Sequence, residues 1–262
     1  MNLLRKAIPL LLLATLSFAQ DPRWKPTPAQ LEALKQRVEG QWPKFAGDDL
    51  KKGMGSQEAS SFILNAAAAS YDPARIERVI EWLARFQDTN RASRTYGNFN
   101  WYWGDTKITD ANAVQFNERL IVFVWMHYRD RLNDAGRAKL EAILKLAAEG
   151  VRRQSVRVSY SNIFLMKIFN LIALGEALGL PRVADEGYRA LDRWLAFTWE
   201  HGATEYLSPT YYAVDLENLA LVRNCARNPE ARASAEQGLV YLWADTMLNW
   251  YAPAGRLGGA HS

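Results

Sequence analysis

The chain has 262 residues, with 32 Lys and Arg against 28 Asp and Glu, a formal net charge of +4. That balance is too mild for a nucleic-acid binder, which shows clustered basic stretches. Its single cysteine, Cys225, excludes an internal disulfide. Three histidines with no CxxC or HExxH spacing argue against a metal site, and no cofactor motif is present.

Residues 1–19 describe a secretory signal peptide. They open Met-Asn-Leu-Leu-Arg-Lys, continue in an apolar run from Ala7 to Phe18 that is too short to span a bilayer, and end in the small residues Ser17 and Ala19. Cleavage after Ala19 removes Arg5 and Lys6 and lowers the net charge by two. The alternative is an uncleaved N-terminal anchor. No later stretch is apolar and long enough to cross a membrane. Residues 20–262 are therefore expected as one exported domain, secreted or periplasmic, with no membrane contact after cleavage.

The first helix is predicted over Pro26 to Gly40, with Thr27 as cap and Pro28 at its first position. Further helices are predicted over Gln57 to Ser70, Ala74 to Phe86, Asn112 to Arg131, Ala135 to Arg153 and Ser161 to Leu178. Three more follow, over Arg182 to Trp199, Tyr212 to Ala226 and Glu230 to Trp250. Cys225 is expected mid-helix and reads as a small buried residue. No segment alternates with period two, so the fold class is all-α.

The connections alternate in length. Those near residues 71, 133, 180 and 228 are short. Those at 41–56, 87–110, 154–160, 200–210 and 252–262 are long or polar. Short turns make antiparallel helix pairs, so every second connection falls at the same end. The long, aromatic, polar loops should share one rim, as in an α/α toroid, a ring of helical hairpins. Nine helices is an odd number for such a ring. The expectation is an incomplete toroid over residues 20–262, truncated at its C-terminus.

Residues 201–218 concentrate the chemistry. They hold His201, Glu205, Tyr206, Tyr211, Tyr212, Asp215 and Glu217 on a connection braced by two helices, where binding and catalysis tend to sit. Thr210 is the expected N-cap of the helix that follows. Asn100, Trp101 and Trp103, in a chain with ten tryptophans, read as a platform for flat sugar rings.

The block Glu205-Tyr206-Leu207-Ser208-Pro209-Thr210-Tyr211-Tyr212, with Asn162-Ile163, Leu165-Met166 and the terminal Gly259-Ala260-His261-Ser262, carries a resemblance. Over roughly residues 95–262 the chain resembles exported bacterial α/α-toroid proteins related to the heparinase and alginate-lyase families of polysaccharide lyases. The resemblance implies β-elimination on a polysaccharide containing uronic acid, with an acidic polysaccharide as partner. Such a reaction needs donors that offset the uronate charge, a base for the proton beside it, and an acid for the leaving oxygen. It points to Tyr211, with the adjacent Tyr212 as the alternative, as base and acid, and to His201 as partner base or charge neutraliser. Asn162 would neutralise the uronate, while Glu205 would orient a His or bind a hydroxyl. His261 is a further candidate. Tyr206 and Tyr212 join Asn100, Trp101 and Trp103 as substrate contacts.

Two other readings stay open. A hydrolase on the same toroid would need paired carboxylates, with Asp105, Asp110, Glu205 and Asp215 as candidates. A non-catalytic glycan-binding protein, or an inactive fragment, would need neither acid nor base.

Overall fold

The computed structural model describes residues 26–205 and 207–258. The expected signal peptide, Tyr206 and His261 lie outside the described residues. Among those residues run nine α-helices: α1 (Pro28–Gln41), α2 (Ser56–Ala68), α3 (Pro73–Arg85), α4 (Ala113–His127), α5 (Asp134–Arg153), α6 (Ser161–Ala177), α7 (Pro181–His201), α8 (Pro209–Cys225) and α9 (Pro229–Leu248). The protein is predominantly helical, as the periodicity predicts. One small departure is a two-stranded hairpin, β1 (Trp250–Tyr251) against antiparallel β2 (Arg256–Leu257). Gly255, with φ of 62°, takes the left-handed conformation that its tight turn needs.

Local chemistry explains the helix starts. Thr27 forms a capping box with Gln30, and Pro28 occupies the first turn, where its missing N–H costs nothing. Asp72 caps α3, Asn133 caps α5 and Asn228 caps α9, each accepting a backbone N–H. Thr210 does not cap α8. The helix begins earlier, at Pro209, with Ser208, two residues before Thr210, in the extended N-cap position. Proline's fixed φ suits the first helical position, which places Thr210 inside the first turn. Cys225 is buried and is the last residue of α8 rather than a central one.

Packing follows helix parity. The even helices pack in series, α2 on α4, α4 on α6 and α6 on α8. Each is backed by its hairpin partner, in the pairs α2–α3, α4–α5, α6–α7 and α8–α9. Of the odd helices, α3 packs on α5 and α7 on α9. α6 is mostly apolar and almost wholly buried, as a central helix packed by α4, α5, α7 and α8 must be.

The even helices also carry a polar seam. Ser60 donates to Asn117 at 2.7 Å, and Asn117 donates to Ser56 at 3.0 Å, joining α2 to α4. Asn170 donates to the Gln115 side chain at 2.7 Å, joining α4 to α6. All five residues are buried. Buried polar pairs of this kind set the register of packed helices, here with the Asn170 side-chain oxygen left without a hydrogen-bond partner among the described residues.

The long connections interlock at one end. Between 42–55 and 86–112, Gly53 donates to the Trp103 carbonyl, Ser56 to the Trp101 carbonyl and Trp103 to the Met54 carbonyl. Gln154, in the next connection, donates to Asn112 at 2.7 Å. Thr204, in the connection after that, donates to the Ser159 carbonyl at 2.7 Å. The 86–112 segment is seated on α5 at a glycine pair. A Cβ on Gly97 would lie 2.2 Å from the Leu146 carbonyl oxygen, and one on Gly150 would lie 2.6 Å from the Gly97 carbonyl oxygen. Only glycine permits that approach. The short connections gather opposite, where Arg131 donates to the Ala67 and Ala68 carbonyls.

Candidate functional site

The candidate site is built where three long connections run into the even helices. At the start of α6, the Glu205 carboxylate accepts the Asn162 backbone N–H at 3.0 Å and the Asn162 side-chain amide at 3.1 Å. Beside this pair the Ser161 and Thr204 hydroxyls share a hydrogen bond of 3.0 Å. An acid at a helix N-terminus faces the positive end of the helix dipole and takes up N–H groups that have no partner within the helix. Glu205 thus ties the α7–α8 connection to α6. Glu205→Ala is expected to lower stability by about 1–3 kcal/mol, because it orphans both Asn162 donors. Urea denaturation measures this, and an unchanged midpoint would show that the pair holds nothing.

Aromatic groups lie on the same rim. Trp101 donates from its indole to Asp110 at 2.9 Å, and its ring packs 5.3 Å from Phe116. Tyr160 immediately precedes α6 and is 48% exposed. Tyr211, in the first turn of α8, is 38% exposed. The Tyr160 phenol is raised above the ordinary tyrosine value by desolvation first, then by the nearby charges of Tyr211, Asp110 and Glu205; a hydrogen bond with Asn112 acts the other way. Tyr160, Tyr211, Asp110 and Glu205 therefore share one neighbourhood, although they come from different connections.

Below it lie two buried acids with no hydrogen-bond partner among the described residues. Asp215 of α8 is pushed up to about 8 by burial and then by the charge of Glu205. Glu118 of α4 is raised well above the usual carboxylate range by burial. Unpaired charge in a dry interior is costly, so burial favours the protonated form of both. Across the same helices Arg119 of α4 pairs with Glu217 of α8 at 2.6 Å.

The other predicted residues are placed as follows. His201 ends α7 on the long-connection side, with its ring 4.6 Å from Phe197 and 3.8 Å from a Glu200 oxygen. Tyr212 is buried and donates to Asp245 of α9; burial and that carboxylate raise its phenol. Trp103 packs on Phe86 at 5.5 Å and on Trp82 at 6.4 Å, with Arg85 over its ring at 4.3 Å. Asn100 donates its backbone N–H to the Phe86 carbonyl. Of the hydrolase candidates, Asp105 accepts the Tyr102 N–H at 3.2 Å, Asp110 accepts from Trp101, and Asp215 is sealed.

The structure thus bonds Asn162 to Glu205 and sets Tyr211 near Tyr160, places Trp101 on Asp110 and His201 at the same end, and turns Tyr212 and Trp103 inward. Sequence reasoning missed Tyr160 and Glu118. Tyr160 had one usable signal, an aromatic at the end of a long connection, like Trp101. Glu118 was visible as the one acid in the apolar run from Ala113 to His127.

No curated protein and no solved structure matches this chain. A family model described as "Domain of unknown function (DUF8769)" matches residues 56–260, which span every element from α2 onward. The chain belongs to the DUF8769 family.

Proposed function

We propose that this protein is a polysaccharide lyase-like enzyme that cleaves a uronic-acid-containing polysaccharide by β-elimination at the rim formed by its long connections. The observation that carries the reading is the meeting of two exposed phenols, Tyr160 and Tyr211, beside the buried Glu205–Asn162 pair. In this reading Tyr211 takes the proton next to the uronate carboxylate. Tyr160, whose phenol is raised and so holds its proton, gives one to the leaving sugar oxygen. Asn162 acts as a positioning residue, because it is buried and its backbone N–H and side-chain amide both bond to Glu205.

Two further features support it. The rim connections carry the exposed cations Lys51, Lys52, Arg91, Arg94, Lys107 and Arg157, which suit a polyanion and would help offset the uronate charge. The series of even helices, backed by odd ones, is the order expected of an incomplete α/α toroid with its long loops at one mouth. Export to the periplasm or beyond belongs to the same proposal and rests on residues 1–19.

The raised Asp215 beside Glu205 favours a second reading, a glycoside hydrolase, since paired acids with separated pKa values divide acid and base roles. It ranks lower because Asp215 has no exposed surface. Products separate the two. Incubation with polygalacturonate, alginate and heparin should yield an unsaturated sugar absorbing in the near ultraviolet. New reducing ends without that absorbance would favour the hydrolase, and binding without any product would leave a glycan-binding protein.

A further inference from the structure

Outside the rim cluster, a cavity of about 640 Å³ lies between α5 and α7, with α6 as its floor. That size falls within the roughly 300–1,000 Å³ of ligand pockets. Gln154, Ser155 and Val156 form its edge, at one end of the connection that carries Tyr160 at the other. Four residues of chain separate Val156 from Tyr160, so at ~3.3–3.6 Å each the two lie within about 14 Å.

The lining is cationic on an apolar bed. Phe164, Leu171 and Ala190 supply the bed. Arg152, Lys167, Arg189 and Arg193 face two acids, Glu186 and Asp192. Arg152 is taken up by Glu186, to which it donates at 3.0 and 2.8 Å, a pair that ties α5 to α7. Lys167, Arg189 and Arg193 form no ion pair among the described residues. Arg189 and Arg193 are exposed and one helical turn apart on α7, and Arg193 stands over the Phe164 ring at 5.9 Å. Lys167 donates to the Arg152 carbonyl at 3.3 Å and to the Gln154 carbonyl, which caps the end of α5. Burial holds the Lys167 ammonium down to about 8, the state of a cation short of countercharge.

We infer that this cavity is a distal subsite for an acidic sugar residue of the same polysaccharide, with Arg189, Arg193 and Lys167 meeting its carboxylate or sulfate and Phe164 and Leu171 its ring. Arginine forks pair bidentately with the oxygens of such anions, and an apolar bed with few convergent charges suits a sugar bearing one. The inference rests on the reading of the rim as an acidic-polysaccharide site, but not on the elimination chemistry.

The test is titration calorimetry with oligogalacturonate and with a heparin-derived oligosaccharide, using inorganic sulfate and a neutral maltooligosaccharide as controls. Both probes are run on the full chain and on the Arg189→Glu/Arg193→Glu variant. The substituted positions are exposed, so the variant should fold, as circular dichroism would check. The expected result is acidic-oligosaccharide binding that weakens at least ~10-fold in the variant and depends less on salt. Equal binding by the two proteins overturns the subsite. So does wild-type protein that binds neither acidic probe, or that binds the neutral sugar as tightly. Wild-type protein that binds through the two arginines but makes no unsaturated product overturns the elimination alone. If product forms and the variant keeps the wild-type KM, the subsite alone falls.

Discussion

Tyr211→Phe is expected to lower the rate of β-elimination by ~10²–10⁴-fold, the usual contribution of a positioned acid or base. Only the phenolic oxygen is lost, from a ring that is 38% exposed at the rim, so the thermal midpoint should stay within about a degree or two. The adjacent tyrosine provides the control. In Tyr212→Phe a buried hydroxyl that donates to Asp245 disappears, which should cost about 1 kcal/mol of stability and leave the rate nearly unchanged. Near-ultraviolet product absorbance, read beside a melt, separates the two outcomes. Full activity in Tyr211→Phe would remove the proposed base and with it the mechanism.

Asp215→Asn should stabilise the protein, increasingly so as the pH rises. The Asp215 carboxyl stands at about 8 in the fold against 3.8 for an ordinary aspartate. The folded state therefore keeps a proton that the unfolded chain releases. Stability from this group is fully present below about pH 4 and is lost as pH rises through about 8. Asparagine is nearly isosteric and cannot ionise, so the variant escapes that loss. Each unit of pKa is worth about 1.4 kcal/mol, and a gain of about 3 kcal/mol at pH 8–9 is expected, with little change at pH 4. Denaturant melts across that window decide the matter. A variant less stable than wild type at high pH would mean that Asp215 is ionised and held by a partner. Glu118 is raised by burial in the same direction and should add to the wild-type slope.

Much of this arrangement can be read along the chain. Caps and prolines such as Thr27-Pro28 and Pro181 act within a few residues, so the helices stand where the periodicity puts them. The alternation of short and long connections follows from hairpin geometry, and it places Asn162, Glu205, Tyr211 and Trp101 at one end without any knowledge of contacts. Boundaries set by competing local signals were less legible. Pro209 moved the cap two residues ahead of Thr210, to Ser208, and Gly255 turned residues 250–257 into a hairpin.

Direction and partnership needed three dimensions. Tyr211 and Tyr212 are neighbours with the same side chain, yet a rotation of about 100° along α8 sends one to solvent and the other onto Asp245. Trp101 and Trp103 part in the same way, one holding Asp110 at the rim and the other wedged between Trp82 and Phe86. Asn162 and Glu205 are 43 residues apart, so nothing local could say that they would bond to each other. Local spacing determined which residues form helices and at which end the polar connections gather. Burial, a property of the whole assembly, decided which carboxyl groups are pushed toward their neutral form, which phenols meet solvent and which cations form no ion pair among the described residues.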